Sequence, residues 1–272
     1  MIKGIDLHLE DFFNSRDRKN RGCSTGFNLL DYCIHWFEPG LIILASRPHI
    51  PKREFAIDIV NRIAVGRPVT YFPYSEKAGS IAVQFLYQRA DVAPINAGAC
   101  MTDDDQKAVN TAIVMLAETK LYIHSSPPPS LKELLTFIRD DRRDKSEDPG
   151  LVVIDDLQSL VKAETGLYDP PMYEFSSIVA TLNKIAEEYR QPILLLTNLS
   201  DTSRKKRWHP PGIQDLERSG VLALYTNAVI FLHLYELDHQ YREYMCIVSK
   251  NIYPYPRTSF GVVYDESSRH FT

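Results

Sequence analysis

Apolar runs of strand length recur along the chain, and most are continuous rather than alternating. They are Leu41-Ile-Ile-Leu-Ala45, Val69-Thr-Tyr-Phe72, Leu121-Tyr-Ile-His124, Leu151-Val-Val-Ile154 and Pro192-Ile-Leu-Leu-Leu-Thr197, then Val229-Ile-Phe-Leu232 and the runs 244–249 and 260–264. Between the first five lie stretches whose apolar residues recur at helical spacing: one opening near Lys52, then 81–89, 103–117, 131–139 and 173–190. The last of these carries Phe175, Ile178, Leu182 and Ile185 on one face. Asp103 reads as a helix N-cap, and Ser130 with Glu133 has capping-box spacing. Strands that are apolar throughout and alternate with helices predict an α/β fold, a mostly parallel sheet covered on both faces. The later strands have no helices between them and predict an antiparallel extension at one edge, closed by 260–264. Residues 1–21 are polar and charged; they read as an arm with a short helix over Leu7 to Phe13. Residues 22–272 read as one domain.

Composition narrows the partners. At 44% hydrophobic residues a full core is available, and a net charge of −4 gives no general attraction to nucleic acid. Any DNA contact has to come from a local patch. The strongest is Arg204-Lys205-Lys206-Arg207-Trp208, where cations suit phosphates and an indole suits a base, or where a loop is simply solvated. The charge run 139–148 reads as a solvated face, and Lys107 and His124 as surface residues. Cys23, Cys33, Cys100 and Cys246 lack paired spacing, which argues against zinc and for a reducing compartment. No apolar run approaches the ~18 residues of a membrane span, so the expectation is a soluble, cytoplasmic protein without a membrane partner.

Ligands of such sheets sit at the carboxyl ends of the strands. There, residues 41–59 have the order strand, short loop, Lys, helix, which is the layout of a phosphate-binding P-loop. Its chemistry requires glycine N–H groups around phosphates, a Lys for their charge and a Ser or Thr hydroxyl for magnesium. Lys52 is present, but Pro51 replaces the last Gly and Arg53 the hydroxyl residue. Proline has no N–H, and arginine has no acceptor for a metal. Asp155 follows a buried strand, as a carboxylate near magnesium does in a P-loop enzyme; the alternative is that Asp155 and Asp156 cap the next turn.

Several ordered segments now resemble one family. Ser24-Thr-Gly-Phe-Asn-Leu-Leu-Asp31 is similar to "TGF..LD", Glu38 to Pro48 to "PGDLIILAARP", Leu151 to Gln158 to "LIVIDYLQ", and Asp215-Leu-Glu-Arg-Ser-Gly220 to "DLRESG". Together they resemble the C-terminal motor domain of DnaB-type bacterial replicative helicases, collinear from about Gly22 to the end. The resemblance implies a RecA-like P-loop NTPase fold. It implies a nucleotide site at Arg47, Pro48, Pro51, Lys52, Arg53 and Lys250, taking ATP or ADP with magnesium where it still functions, and a magnesium position at Asp155. It places Ser75 and Glu76 at the catalytic Glu of "FSLEM", and Asn198 at the polar sensor of "SQL". Against the family pattern, Ser75 stands in the Glu position with Glu76 one place late. The "KQR" finger reads Lys250-Asn251-Ile252 without its Arg, and residues 221–227 lack the acidic residues of "SIEQDAD". The resemblance covers the motor domain, and the expectation is a chain without the family's primase-contacting N-terminal domain.

Three functions follow as expectations. The first is a catalytically degenerate helicase-like module of DNA replication or mobile-element maintenance, whose partner is a replicative helicase subunit, a loader or a second copy. The second is an active ATP-dependent DNA helicase or DNA-stimulated ATPase using Lys52 and Asp155, with Glu76 as base. The third is a single-stranded DNA binder that needs no nucleotide and works through residues 204–208.

Overall fold

The computed structural model describes residues 22–93, 101–125, 129–141, 150–200, 209–237, 242–251 and 257–272. The N-terminal arm, the basic stretch 204–208 and most of the charge run lie outside the described residues.

The elements follow the hydrophobic pattern. Helix α1 (Asn28–Ile34) leads into β1 (Gly40–Ser46), and α2 (Lys52–Ile63) follows it. Then come β2 (Val69–Pro73), α3 (Ala78–Ala90), α4 (Asp103–Ala117), β3 (Leu121–Ile123), α5 (Leu131–Asp141) and β4 (Leu151–Asp155). Helices α6 (Leu157–Thr165) and α7 (Met172–Glu188) precede β5 (Pro192–Asn198). Helix α8 (Ser219–Tyr225) runs into β6 (Thr226–Leu237), and β7 (Arg242–Lys250), β8 (Thr258–Asp265) and β9 (His270–Phe271) follow. These strands form one nine-stranded sheet in the order β3-β2-β4-β5-β1-β6-β7-β8-β9. The pairs from β3 to β6 are parallel, and β6-β7-β8-β9 are antiparallel. The expected extension is there, but 260–264 does not close it: β9 pairs outside β8 and forms the edge.

Continuous apolar strands divide their side chains between two cores. In β1, Ile42 and Leu44 face one core while Leu41, Ile43 and Ala45 face the other; β5 alternates likewise. The first core is filled by α1, α2 and α3 through Leu30, Phe55, Ile59, Ile81 and Phe85. The second is filled by α5, α6 and α7 through Leu134, Ile138, Leu160, Ile178 and Leu182. Each such side chain contributes roughly 1.5–3 kcal/mol by leaving water. Gly40 opens β1 with φ 128°, and a Cβ there would lie 2.0 Å from the Asn227 amide. That amide donates to Pro39 O at 2.8 Å, so only glycine lets β6 approach the start of β1.

Local signals were close but not always placed on the right residue. The N-cap of α4 is Thr102, not Asp103; its hydroxyl accepts from Asp105 N and its N–H donates to the Asp105 carboxylate. A threonine there accepts the orphan amide and leaves the three aspartates for the helix's positive end. The Ser130–Glu133 box forms as expected.

Candidate functional site

The loop between β1 and α2 is closed on itself. Lys52 N donates to Ile50 O at 2.7 Å across Pro51, whose φ −76° and ψ 56° make an inverse γ-turn. Ile50 N donates to Arg47 O at 3.3 Å. In a phosphate-binding loop these amides would point at the ligand. Lys52 Nζ donates to Asn198 Oδ1 at the end of β5, 2.5 Å away. Burial lowers the Lys52 pKa, and Asp156 and Asp155 restore part of it.

Arg53, in the first turn of α2, spreads its guanidinium over three neighbours. Nε donates to Asp155 Oδ2 at 2.5 Å, Nη1 to Glu76 Oε1 at 2.6 Å, and Nη2 to Ser75 Oγ at 2.7 Å and Asp155 Oδ1 at 3.3 Å. Asp155 is 2% exposed and receives a further bond on Oδ2 from the Tyr71 hydroxyl at 2.7 Å. Burial opposes the charge on Arg53, but the Asp155 carboxylate outweighs it, and the guanidinium's pKa rises. Burial and then Asp155 push the Tyr71 phenol well above its ordinary value, which keeps it a donor. Ser75, Glu76, Asp155, Asn198, Lys52 and Arg53 thus lie together at the carboxyl ends of the strands.

Other expected residues go elsewhere. Arg47 turns toward β6: Nη1 lies 3.2 Å from His233 Nδ1, and Nη2 donates to His209 O at 3.0 Å. Burial, Arg47 and Arg257 push His233 down to about 4, so its neutral ring can accept from Arg47. Lys250 Nζ donates to the carbonyls of Ala223 and Thr226, around the end of α8, and satisfies acceptors of its own chain. Pro48 lies in the loop turn beside His49, whose φ is 67°. The two carboxylates at the end of β4 divide the work: Asp155, its last residue, enters the cluster, and Asp156 caps α6 by accepting from Ser159 N at 2.8 Å.

A family model described as the DnaB-like helicase C terminal domain matches residues 22–262. The chain belongs to this family. It is 26% identical over 241 residues to the replicative DNA helicase DnaB of Buchnera aphidicola subsp. Baizongia pistaciae, covering 87% of this chain and 51% of that protein. It is 26% identical over 239 residues to DnaB of Geobacillus stearothermophilus, covering 85% of this chain and 52% of the relative. It thus spans about half the length of these curated relatives. Among solved structures, the ATPase domain of G40P superposes with a TM-score of 0.86 at 18% identity, covering 100% of this chain and 99% of that one. A DnaB-like replicative helicase solved with attention to its interactions with primase gives 0.86 at 19% identity, covering 67% of that chain. These two show that the fold is the RecA-like one of DnaB ATPase domains.

Within a DnaB-like frame, the residues do not fit a magnesium ion. The residue after the P-loop Lys carries a cation instead of a hydroxyl, and both Asp155 oxygens already accept N–H or O–H donors. Three contributors escaped the sequence reading. Tyr71 had a usable signal, a phenol inside a buried strand, which requires a partner for its hydroxyl. His233 and the Gln158 amide, which donates to Thr197 Oγ1 at 2.8 Å and Glu217 Oε2 at 3.0 Å, join segments too distant in sequence for spacing to reveal them. The basic stretch Arg204 to Trp208 lies outside the described residues.

Proposed function

We propose that this chain is a DnaB-like module of DNA replication or mobile-element maintenance that assembles with other proteins and does not turn over ATP. Its partner is a replicative helicase subunit, a loader or a second copy. The closed loop carries this reading: the amides and the Lys52 ammonium that would grip a nucleotide are already committed to Ile50, Arg47 and Asn198. The chemistry downstream is depleted as well. Loss of a catalytic base costs about 10²–10⁴ in rate and loss of an arginine finger about 10³–10⁵. Glu76, the remaining candidate base, is ion-paired with Arg53, which holds its carboxylate away from the role.

The test is ATP hydrolysis with and without single-stranded DNA, beside calorimetric titration of ATP and ADP. The expected outcome is turnover no higher than that of Lys52→Ala and no heat of binding. Magnesium-dependent turnover above the Lys52→Ala control would overturn the proposal in favour of an active ATPase.

A further inference from the structure

We infer that the Arg53 guanidinium is a tethered replacement for the divalent cation of this site: it neutralises Asp155 and Glu76, pins the ends of β2 and β4 to the head of α2, and leaves the site indifferent to magnesium. The inference deepens the reading of this region as a rewritten nucleotide site. Metal binding in the absence of nucleotide tests it apart from turnover, whereas magnesium-dependent turnover would overturn both.

Three observations converge on it. The first is valence. A buried carboxylate requires a compensating charge, and Asp155 has one at 2.5 Å while the Arg53 side chain itself is only 23% exposed. Arg53 already supplies that charge in contact with the carboxylate, so a divalent ion would have to displace the guanidinium or sit beside it as a second cation. The second is coordination. A metal at the end of β4 draws on acceptor lone pairs, and the planar Arg53 fork together with the Tyr71 hydroxyl occupies most of those that Asp155 offers, with at least one donor on each oxygen. The third is architecture. Glu76 Oε1, Ser75 Oγ and the Asp155 carboxylate converge on one group, as ligands converge on an ion, although they come from the end of β4 and the segment after β2. Arginine does not lose its proton in proteins, so this cation is removed neither by a chelator nor by pH.

The sign of the electrostatics makes the inference reversible. Even with the dielectric constant of water, a fixed unit charge ~4 Å from a divalent ion alters its affinity by more than about tenfold. Removing the guanidinium also exposes the lone pairs of Asp155 to a new occupant. Arg53→Thr supplies the hydroxyl that a P-loop carries at this position.

The experiment titrates manganese into the full chain and follows free Mn²⁺ by electron paramagnetic resonance. Thermal unfolding is recorded in parallel in millimolar magnesium and in a chelator. The wild-type chain is expected to bind no Mn²⁺ in this range and to unfold at the same temperature in both buffers. Arg53→Thr is expected to bind Mn²⁺ at least about tenfold more tightly than wild type and to unfold higher in magnesium than in chelator. Arg53→Lys keeps the charge and is expected to stay indifferent to metal, which also guards against a threonine variant that fails to fold. Saturable binding of Mn²⁺ to the wild-type chain would overturn the inference on its own. So would a folded Arg53→Thr variant that binds no more Mn²⁺ than wild type, or an Arg53→Lys variant that binds it tightly. Hydrolysis of ATP by the wild type without metal would sink the proposal of a silent module and leave this inference intact.

Discussion

Helix α2 carries two acid–base clusters on buried carboxylates, one at its head and one in its middle, and they are built from different bases. At the head, Arg53 pairs with Asp155 and Glu76. In the middle, Asp58 accepts His270 Nδ1 at 2.6 Å and Phe271 N at 2.7 Å, which ties the edge strand β9 to the helix. Phe271 then packs on Phe55 of the same helix, with ring centroids 5.1 Å apart. The first cluster stands where the sequence resemblance implies a nucleotide site; the second fastens the end of the chain to the fold. The difference is that one cation is permanent and the other is a proton that can leave.

The largest effect is expected from breaking the permanent pair. Among the described residues, Arg53→Ala leaves Asp155, 2% exposed, with only the Tyr71 hydroxyl on its carboxylate. Removing one partner of a buried pair costs about 3–5 kcal/mol, and the lower end applies because Arg53 keeps some solvent contact. Chemical denaturation in chelator at pH 8 should report a loss of about 3 kcal/mol. A loss under about 1 kcal/mol would mean that the cluster is not what holds the strand ends together.

The His270 strap should be weaker and pH-sensitive. Its bond to Asp58 raises the His270 pKa, and burial raises that of Asp58, so the folded pair holds its proton to higher pH than the unfolded chain. The stability this adds is fully present below the unfolded histidine value near 6.5 and is lost as pH rises through the higher folded value. His270→Asn should therefore cost about 1.5–3 kcal/mol at pH 6, the range for a hydrogen bond to a charged group, and visibly less at pH 8.5. Equal costs at both pH values would show that His270 acts by packing alone.

The same two clusters show what could be read from the chain and what could not. The sheet was legible because continuous apolar strands such as Leu151 to Ile154 admit few other settings, and the nearness of Lys52 to Asp155 was legible because one opens the helix after β1 and the other ends β4, at the same edge of the sheet. What Arg53 does was not. Its residue type excluded a magnesium ligand, but its three partners lie at positions 75, 76 and 155, and only the parallel β2–β4 pairing brings them together. Asp58 and His270 were less accessible still. A carboxylate in an apolar helix face and a histidine near the end of the chain carry no shared spacing, and β9 is too short to announce itself by pattern. Chemistry assembled by strand order is invisible to periodicity, whereas chemistry assembled by one turn, such as the Ser130–Glu133 box, is not.

The smallest effect sharpens the comparison most, because it separates charge balance from strand anchoring within the head cluster. Glu76 is the outer partner of Arg53: its side chain is 36% exposed and it also accepts from Gln84 at 3.1 Å. A partly exposed pair contributes about 0.2–1 kcal/mol, so Glu76→Gln should lower stability by no more than that, and the neutral amide can still accept from Arg53. If Asp155 carries the anchoring, as its burial and its bonds from Arg53 and Tyr71 require, the Glu76→Gln loss should shrink with added salt while the Arg53→Ala loss persists. A Glu76→Gln loss as large as that of Arg53→Ala would place the anchor at the rim instead, and would make the whole carboxylate pair, rather than Asp155, what holds the guanidinium in place.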